Sequence, residues 1–117
     1  MNIINARQLS DMLDRDDDWV LIDTLPAESY EKRHIPGAHH VPTDAPDFVG
    51  RVEDLVESRD DPVVVYCANT DCDLSPRAAE KLEGAGFTNV HDFEGGLEAW
   101  EESGHEVTSE AEAPSAR

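Results

Sequence analysis

The fold of this 117-residue chain is decided by one stretch, VVVYCANTDCDLSP, at residues 63–76. Residues 63–66 form a continuous, largely β-branched run after a proline, which is typical of a parallel strand covered on both faces. Ser75-Pro76 indicates a helix start, because Ser is a good helix cap and Pro is favoured just after a cap. The stretch therefore predicts a strand, a loop and a helix, with Cys67 at the carboxyl end of the strand.

Strand and helix signals alternate outward from this stretch. The predicted strands cover residues 3–4, 19–22, 39–41, 63–66 and 89–92, and the predicted helices follow Asn5, cover 26–33, 47–59 and 75–86, and follow Gly95-Gly96. This alternation predicts an α/β fold, with a central parallel sheet of about five strands and helices on both faces. The length is that of one domain. We expect a single domain at residues 1–106 and an acidic, flexible tail at residues 107–117.

Acidic residues dominate the composition, with 27 Asp and Glu against 9 Lys and Arg and a net charge of -18. A surface of this charge repels phosphates, so no binding to nucleic acid or to an anionic membrane is expected. No apolar run has the length of a membrane span, and the first residues lack a leader pattern, so the expected location is the cytoplasm. A folded domain with so many carboxylates and so few Lys residues resembles proteins of salt-loving archaea.

Cys67 is the candidate nucleophile, because ligands of open parallel sheets bind at the carboxyl ends of strands. The loop after it consists of Ala68, Asn69, Thr70, Asp71, Cys72, Asp73 and Leu74. If this loop curls around the sulfur, its backbone N–H groups and the following helix would lower the thiol pKa and stabilise a thiolate, a persulfide or a bound oxyanion. The alternative is that Cys67 is only a small buried apolar residue.

Three segments are similar to the rhodanese domain, a family of sulfurtransferases with a central parallel sheet. They are LID (21–23) with Tyr30, HIPGA (34–38) and VP (41–42); VVYC (64–67) with Ala78, Ala79 and Leu82; and GFTNV (86–90) with EGGL (94–97) and Trp100. The resemblance extends over residues 3–104. It implies that Cys67 accepts sulfur as a persulfide from a small-molecule or protein donor of sulfane sulfur. It also implies transfer to a thiol or cyanide-like acceptor, with no cofactor.

The loop departs from the pattern of many active members of that family. It is longer, it is acidic at Asp71 and Asp73, and it contains Cys72. Leu25 stands where many members carry an Arg, and Arg77 near the helix start is either a partial replacement or a solvated helix residue. These departures leave fewer cationic side chains to bind an anion, so they favour a persulfide donor over thiosulfate.

Several alternatives stay open at this point. Cys72 could shape the loop, resolve an oxidised or persulfidated Cys67 as a disulfide, or join a metal site, although no second Cys-x-x-Cys pair or close His partner supports a metal. The chain could therefore be a dithiol redox protein that uses Cys67 and Cys72, or a noncatalytic binding module. A phosphatase or arsenate reductase is less well supported, since no Arg closes the loop before Ser75. Asp23, at a strand end, is expected to cap nearby backbone N–H groups.

The charge predicts that stability depends on salt. Removing salt lengthens the Debye length from about 3 Å at 1 M to about 30 Å at 0.01 M. The repulsion between the surface carboxylates is then less screened. Thermal melts across a sodium chloride series should show the melting temperature falling as salt is removed. A melting temperature that rises on dilution of the salt would contradict this expectation.

Overall fold

Strands and helices alternate along residues 1–15 and 18–109, which the computed structural model describes. The strands are β1 (Asn2–Ile3), β2 (Val20–Asp23), β3 (His39–His40), β4 (Val63–Tyr66) and β5 (Val90–Phe93). The helices are α1 (Ala6–Asp14), α2 (Ala27–Lys32), α3 (Phe48–Glu53), α4 (Leu74–Gly84) and α5 (Gly96–Glu102). The described helices reach at most 11 residues, so none of them could traverse a bilayer.

The five described strands form one parallel sheet in the order β1-β5-β4-β2-β3. The most apolar strand, β4, lies at its centre, where both neighbours satisfy its backbone hydrogen-bonding groups. Side chains of β4 alternate between two cores: Val64 and Tyr66 face one, and Val63 and Val65 face the other. Helices α1 and α5 pack in the first core and α3 and α4 in the second, which confirms the predicted architecture.

The third helix is shorter than predicted. It ends at Glu53, six residues before the expected end at residue 59. The backbone N–H groups of Glu57 and Ser58 donate to Oδ2 of Asp61, at 3.1 and 3.2 Å, rather than continuing a helical ladder. The side chain of Asp61 therefore replaces the helix with a turn in front of β4.

The fourth helix begins one residue before the predicted start and ends at Gly84, two residues before the predicted end at Gly86. Asp73 occupies the cap position and Leu74 is the first helical residue, so Ser75 lies inside the first turn. Because Ser75 is fully buried, its hydroxyl faces the interior instead of capping the helix. At the other end, Gly86 adopts a φ of +97°, the left-handed conformation that commonly follows a helix.

The contacts of the domain extend past the predicted boundary at residue 106. Thr108 pairs with His34 in an antiparallel bridge, with N···O distances of 2.8 and 2.9 Å. Val107 packs against the core cluster that holds α5. Residues 110–117 of the predicted tail lie outside the described residues.

Gly96 allows α5 to approach the end of β4 closely. Its φ is +61°, and a Cβ at this position would lie 2.2 Å from the carbonyl oxygen of Cys67. The next two N–H groups, of Leu97 and Glu98, donate to the carbonyls of Cys67 and Ala68 at 3.0 and 2.9 Å. A side chain at residue 96 is thus incompatible with this contact.

Replacing Gly96 with Ala is expected to lower the free energy of unfolding by about 2–4 kcal/mol, through backbone strain and overlap with Cys67. Denaturant melts in high salt measure this loss. Gly84→Ala is the matched control, because a Cβ there meets nothing within 4 Å. Equal stability of the Gly96 variant and the control would show that the close approach is not needed.

Candidate active site

Cys67 lies one residue beyond β4, in the centre of the sheet, as the sequence predicts. Its side chain is fully buried, and its sulfur faces the loop of residues 68–74 and the first turn of α4. Backbone hydrogen bonds from α5 hold its carbonyl group. The strand, the loop and two helices therefore all meet at this one residue.

Three polar atoms surround the sulfur of Cys67. The hydroxyl oxygen of Ser75 lies 3.4 Å from Sγ. The carbonyl oxygens of Cys72 and Asn69 lie 3.5 and 4.0 Å away, so the single proton of the thiol has three acceptors within reach. We call this conformation closed, because the loop covers the fully buried Cys67 and places carbonyl oxygens next to its sulfur.

The predicted convergence of loop amides on the sulfur is not the arrangement observed. The N–H of Cys72 donates to the carbonyl of Asn69 at 3.2 Å, and the N–H of Asp71 donates to Oδ1 of Asn69 at 3.0 Å. These two N–H groups are therefore not available to the sulfur, whose hydrogen bonds to the loop are to the carbonyl oxygens of Asn69 and Cys72. Sequence patterns do not reveal the orientation of individual peptide groups in a loop, so this arrangement was not foreseen.

The electrostatics of the closed site favour the neutral thiol. The pKa of Cys67 is raised to about 11, first by burial and then by the side chain of Cys72. The hydroxyl and the backbone N–H of Ser75 act in the opposite direction. The expected lowering of this pKa is therefore wrong for the closed conformation, and Ser75 is the group that offsets part of the cost of ionisation.

The other predicted loop residues line the outside of the site. Thr70, Asp71 and Asp73 are exposed, whereas Ala68, Asn69, Cys72 and Leu74 are half-buried. Within residues 1–15 and 18–109, no group of three or more His, Cys, Asp or Glu side chains could hold a metal ion.

Arg77 points into an acidic rim. Its guanidinium pairs with Asp44 at 2.6 Å and with Asp73 at 3.6 Å, and its side chain is 44% exposed. These contacts direct its charge to carboxylates of the rim, so its role as an accessory anion-binding residue stays a prediction.

An open cavity of about 410 Å³ lies beside the loop. It is lined by Arg33, Ala68, Asn69, Glu98, Glu101 and Glu102. Arg33 is paired with Glu101 at 2.5 Å, which leaves two further Glu side chains to set the sign of the potential. The lining is therefore negative and does not favour a multiply charged anion.

Asp23 anchors the strand end next to Cys67. Its Oδ1 accepts from the N–H of Leu25 at 2.9 Å, and this confirms the predicted capping role. Its Oδ2 accepts from the hydroxyl of Tyr66 at 2.7 Å, and that hydroxyl accepts from the N–H of Ile35 at 3.0 Å. The residue before Cys67 is thereby tied to the turn at residues 34–38.

Sequence reasoning missed one further polar residue, Asp92 of β5. It is 1% exposed, and its carboxyl hydrogen-bonds to the side chain of Ser75. The available signal was an acidic residue two positions after Val90 in a strand, which places both on the same face.

Comparison with known proteins gives a consistent family assignment. The sequence model of the Rhodanese-like domain family matches residues 5–103. The chain is 32% identical over 87 residues to the thiosulfate sulfurtransferase GlpE of Pseudomonas savastanoi pv. phaseolicola, which covers 74% of this chain and 76% of that protein. It is 38% identical over 89 residues to the adenylyltransferase and sulfurtransferase UBA4 of Candida albicans, which covers 69% of this chain but only 19% of that protein.

Solved structures agree with this assignment. The BH2092 protein from Bacillus halodurans superposes with a TM-score of 0.79 at 27% identity, over 96% of this chain and 80% of that one. A rhodanese-related protein from Thermoplasma volcanium superposes with a TM-score of 0.73 at 25% identity, over 92% of this chain and 98% of that one. Since the family model covers most of the sequence and the structures share the fold, this chain belongs to the rhodanese-like domain family.

Proposed function

We propose that this chain is a sulfurtransferase that carries sulfane sulfur on Cys67. The observation that carries the proposal is the position of the Cys67 sulfur, at the end of the central strand and 3.4 Å from the hydroxyl of Ser75. Membership of a family that includes GlpE, named a thiosulfate sulfurtransferase, supports the same chemistry. The cytoplasm predicted from the sequence suits a protein with two reduced thiols.

The proposed reaction has two transfers. The thiolate of Cys67 attacks the outer sulfur of a persulfide donor R–S–SH, the donor S–S bond breaks, and R–SH leaves after taking the Cys67 proton. Cys67 then holds one extra sulfur as a persulfide. An acceptor thiolate attacks that outer sulfur, which returns Cys67 to the thiolate and carries the sulfur away.

The loop must open for either transfer, because Cys67 is fully buried in the closed conformation. Ionisation itself favours opening: a thiolate has no proton to donate, and it would lie 3.5 Å from the carbonyl oxygen of Cys72. Peptide groups that reorient to present N–H groups instead would satisfy the anion. The proposed active conformation is therefore the amide-lined loop that the sequence predicts, reached after ionisation or sulfur transfer.

The charge around the site favours a persulfide donor with few negative charges over thiosulfate. Asp71 and Asp73 are exposed on the loop, and Arg77 is already paired with carboxylates. A divalent anion would approach this rim against repulsion. A neutral small persulfide or a persulfide on a basic protein surface would approach the rim without this repulsion.

The Cys67→Ser variant tests the proposal. Intact mass after exposure to a persulfide donor in high salt should rise by one sulfur atom in the native protein and in Cys72→Ser, which keeps the nucleophile. The Cys67 variant should gain nothing, and transfer to cyanide or to an acceptor thiol should be lost. Sulfur gained equally by the Cys67 variant would refute the assignment, and no gain by the native protein would favour a noncatalytic module.

A second candidate is dithiol redox chemistry, favoured by the position of Cys72 beside Cys67. The carbonyl oxygen of Cys72 lies 3.5 Å from the Cys67 sulfur, and the side chain of Cys72 raises the pKa of Cys67. Both cysteines are free thiols, and the half-buried Cys72 lies within the loop that has to move. In this reaction, two thiols lose two protons and two electrons to an oxidant such as a small disulfide, and one S–S bond forms.

Oxidised glutathione provides the test of this second candidate. A disulfide lowers the intact mass by two hydrogen atoms and protects both cysteines from alkylation, and a reducing thiol restores both. Cys72→Ser should show neither change. If both thiols remain open to alkylation after denaturation of the oxidised native sample, the dithiol function is excluded.

A further inference from the structure

Asp92 is a buried carboxyl group with an unused oxygen. It lies on β5 and pairs with Val65 of β4, and Val65 is two residues before Cys67. Asp92 is 1% exposed. Its Oδ1 has no hydrogen-bond partner in the described part of the chain, although burial of an unpaired carboxylate oxygen is costly. A carboxyl group kept in such a place calls for an explanation beyond packing.

Ser75 lies between this carboxyl and the sulfur. Its side chain is fully buried in the first turn of α4, it hydrogen-bonds to Asp92, and its hydroxyl oxygen is 3.4 Å from Sγ of Cys67. A hydroxyl group has one proton to donate, so it can donate to the carboxyl or to the sulfur, but not to both. The direction of this one hydrogen bond therefore depends on both neighbours.

Few charged groups act on these two residues. Burial raises the pKa of Asp92, the hydrogen bond from Ser75 lowers it, and the carboxylate of Glu94 raises it. The side chains that shift the pKa of Cys67 are those of Cys72 and Ser75. Ser75 is thus the group common to both environments.

We propose that Asp92 is a positioning residue that sets, through Ser75, whether the site favours the thiol or the sulfur anion of Cys67. While Asp92 is ionised, the Ser75 hydroxyl donates to it and turns a lone pair towards Sγ, which suits the thiol. When Asp92 takes up a proton, it donates to the Ser75 oxygen, and the Ser75 hydroxyl donates to the thiolate or persulfide anion.

The proton balance of this exchange is simple. The Cys67 thiol passes its proton to Ser75, Ser75 passes its own to Asp92, and one negative charge moves from the carboxylate to the sulfur. No second charge is created in the buried site, which avoids the larger desolvation cost. The inference rests on the proposed function, since the ionised sulfur is the form that sulfur transfer requires.

The reciprocal effect on titration gives the test. Asp92→Asn imitates the neutral acid, because its amide can donate to Ser75 and cannot take a proton. It should lower the pKa of Cys67 and raise its alkylation rate at neutral pH by about tenfold, the effect of one hydrogen bond to a charged group. Iodoacetamide rates across pH measure this, with Cys72→Ser in every sample so that only Cys67 reacts.

Two further variants separate the hydrogen bond from simple charge removal. Glu94→Gln removes a carboxylate from the same strand end and should change the rate less than about twofold. In a Ser75→Ala background, Asp92→Asn should lose most of its effect, because the connecting hydroxyl is gone. Equal acceleration with and without Ser75, or no acceleration at all, would overturn the proposal.

A measurement without substitution at Asp92 covers the case in which that variant does not fold. The carboxyl-carbon NMR signal of Asp92 should shift as Cys67 ionises in the native protein, and most of this shift should disappear in Ser75→Ala. Equal shifts in both would overturn the proposal. Alkylation and NMR read ionisation rather than sulfur, so a coupled site that gains no sulfur would refute the proposed function and leave the coupling established.

Discussion

The hydrogen bonds from the start of α5 to the carbonyls of Cys67 and Ala68 constrain the rest of the site. They hold the end of β4 after its ladder partners have ended, and they require a glycine at position 96. With its carbonyl held, Cys67 directs its side chain towards α4 and the loop. The geometry of the reactive sulfur is thus determined by backbone contacts from elements far apart in the sequence.

Buried polar groups complete the site on both sides of the central strand. Asp23 and Tyr66 tie the strand end to the turn at residues 34–38. On the other side, Ser75 of α4 contacts the sulfur and also acts on Asp92 of β5. The two sets differ in their hydrogen bonding. Both Asp23 oxygens have partners, whereas one oxygen of Asp92 has none among residues 1–15 and 18–109, so the first set suits a structural role and the second a change of state.

The sequence was sufficient to predict the α/β architecture and the position of Cys67, because a continuous apolar strand followed by a capped helix permits few arrangements. It was less informative about α3, because backbone N–H groups near its predicted end donate to the side chain of Asp61 instead of continuing the helix. It could not predict which way the peptide groups of the loop turn, since this depends on local hydrogen bonds to the carbonyl group and the side chain of Asn69. The sequence predicts Ser75 as a cap, whereas its hydroxyl is buried in the first turn of α4, because the same residue type suits a helix start and a buried hydrogen bond.

The closed loop also has a chemical consequence for the idle protein. A fully buried thiol with a pKa of about 11 presents almost no thiolate to peroxides, and only the thiolate is readily oxidised. Oxidation of Cys67 to a sulfinic or sulfonic acid would be irreversible and would remove the nucleophilic thiol. By keeping the thiol of Cys67 buried and protonated, the resting fold protects its sulfur from oxidation.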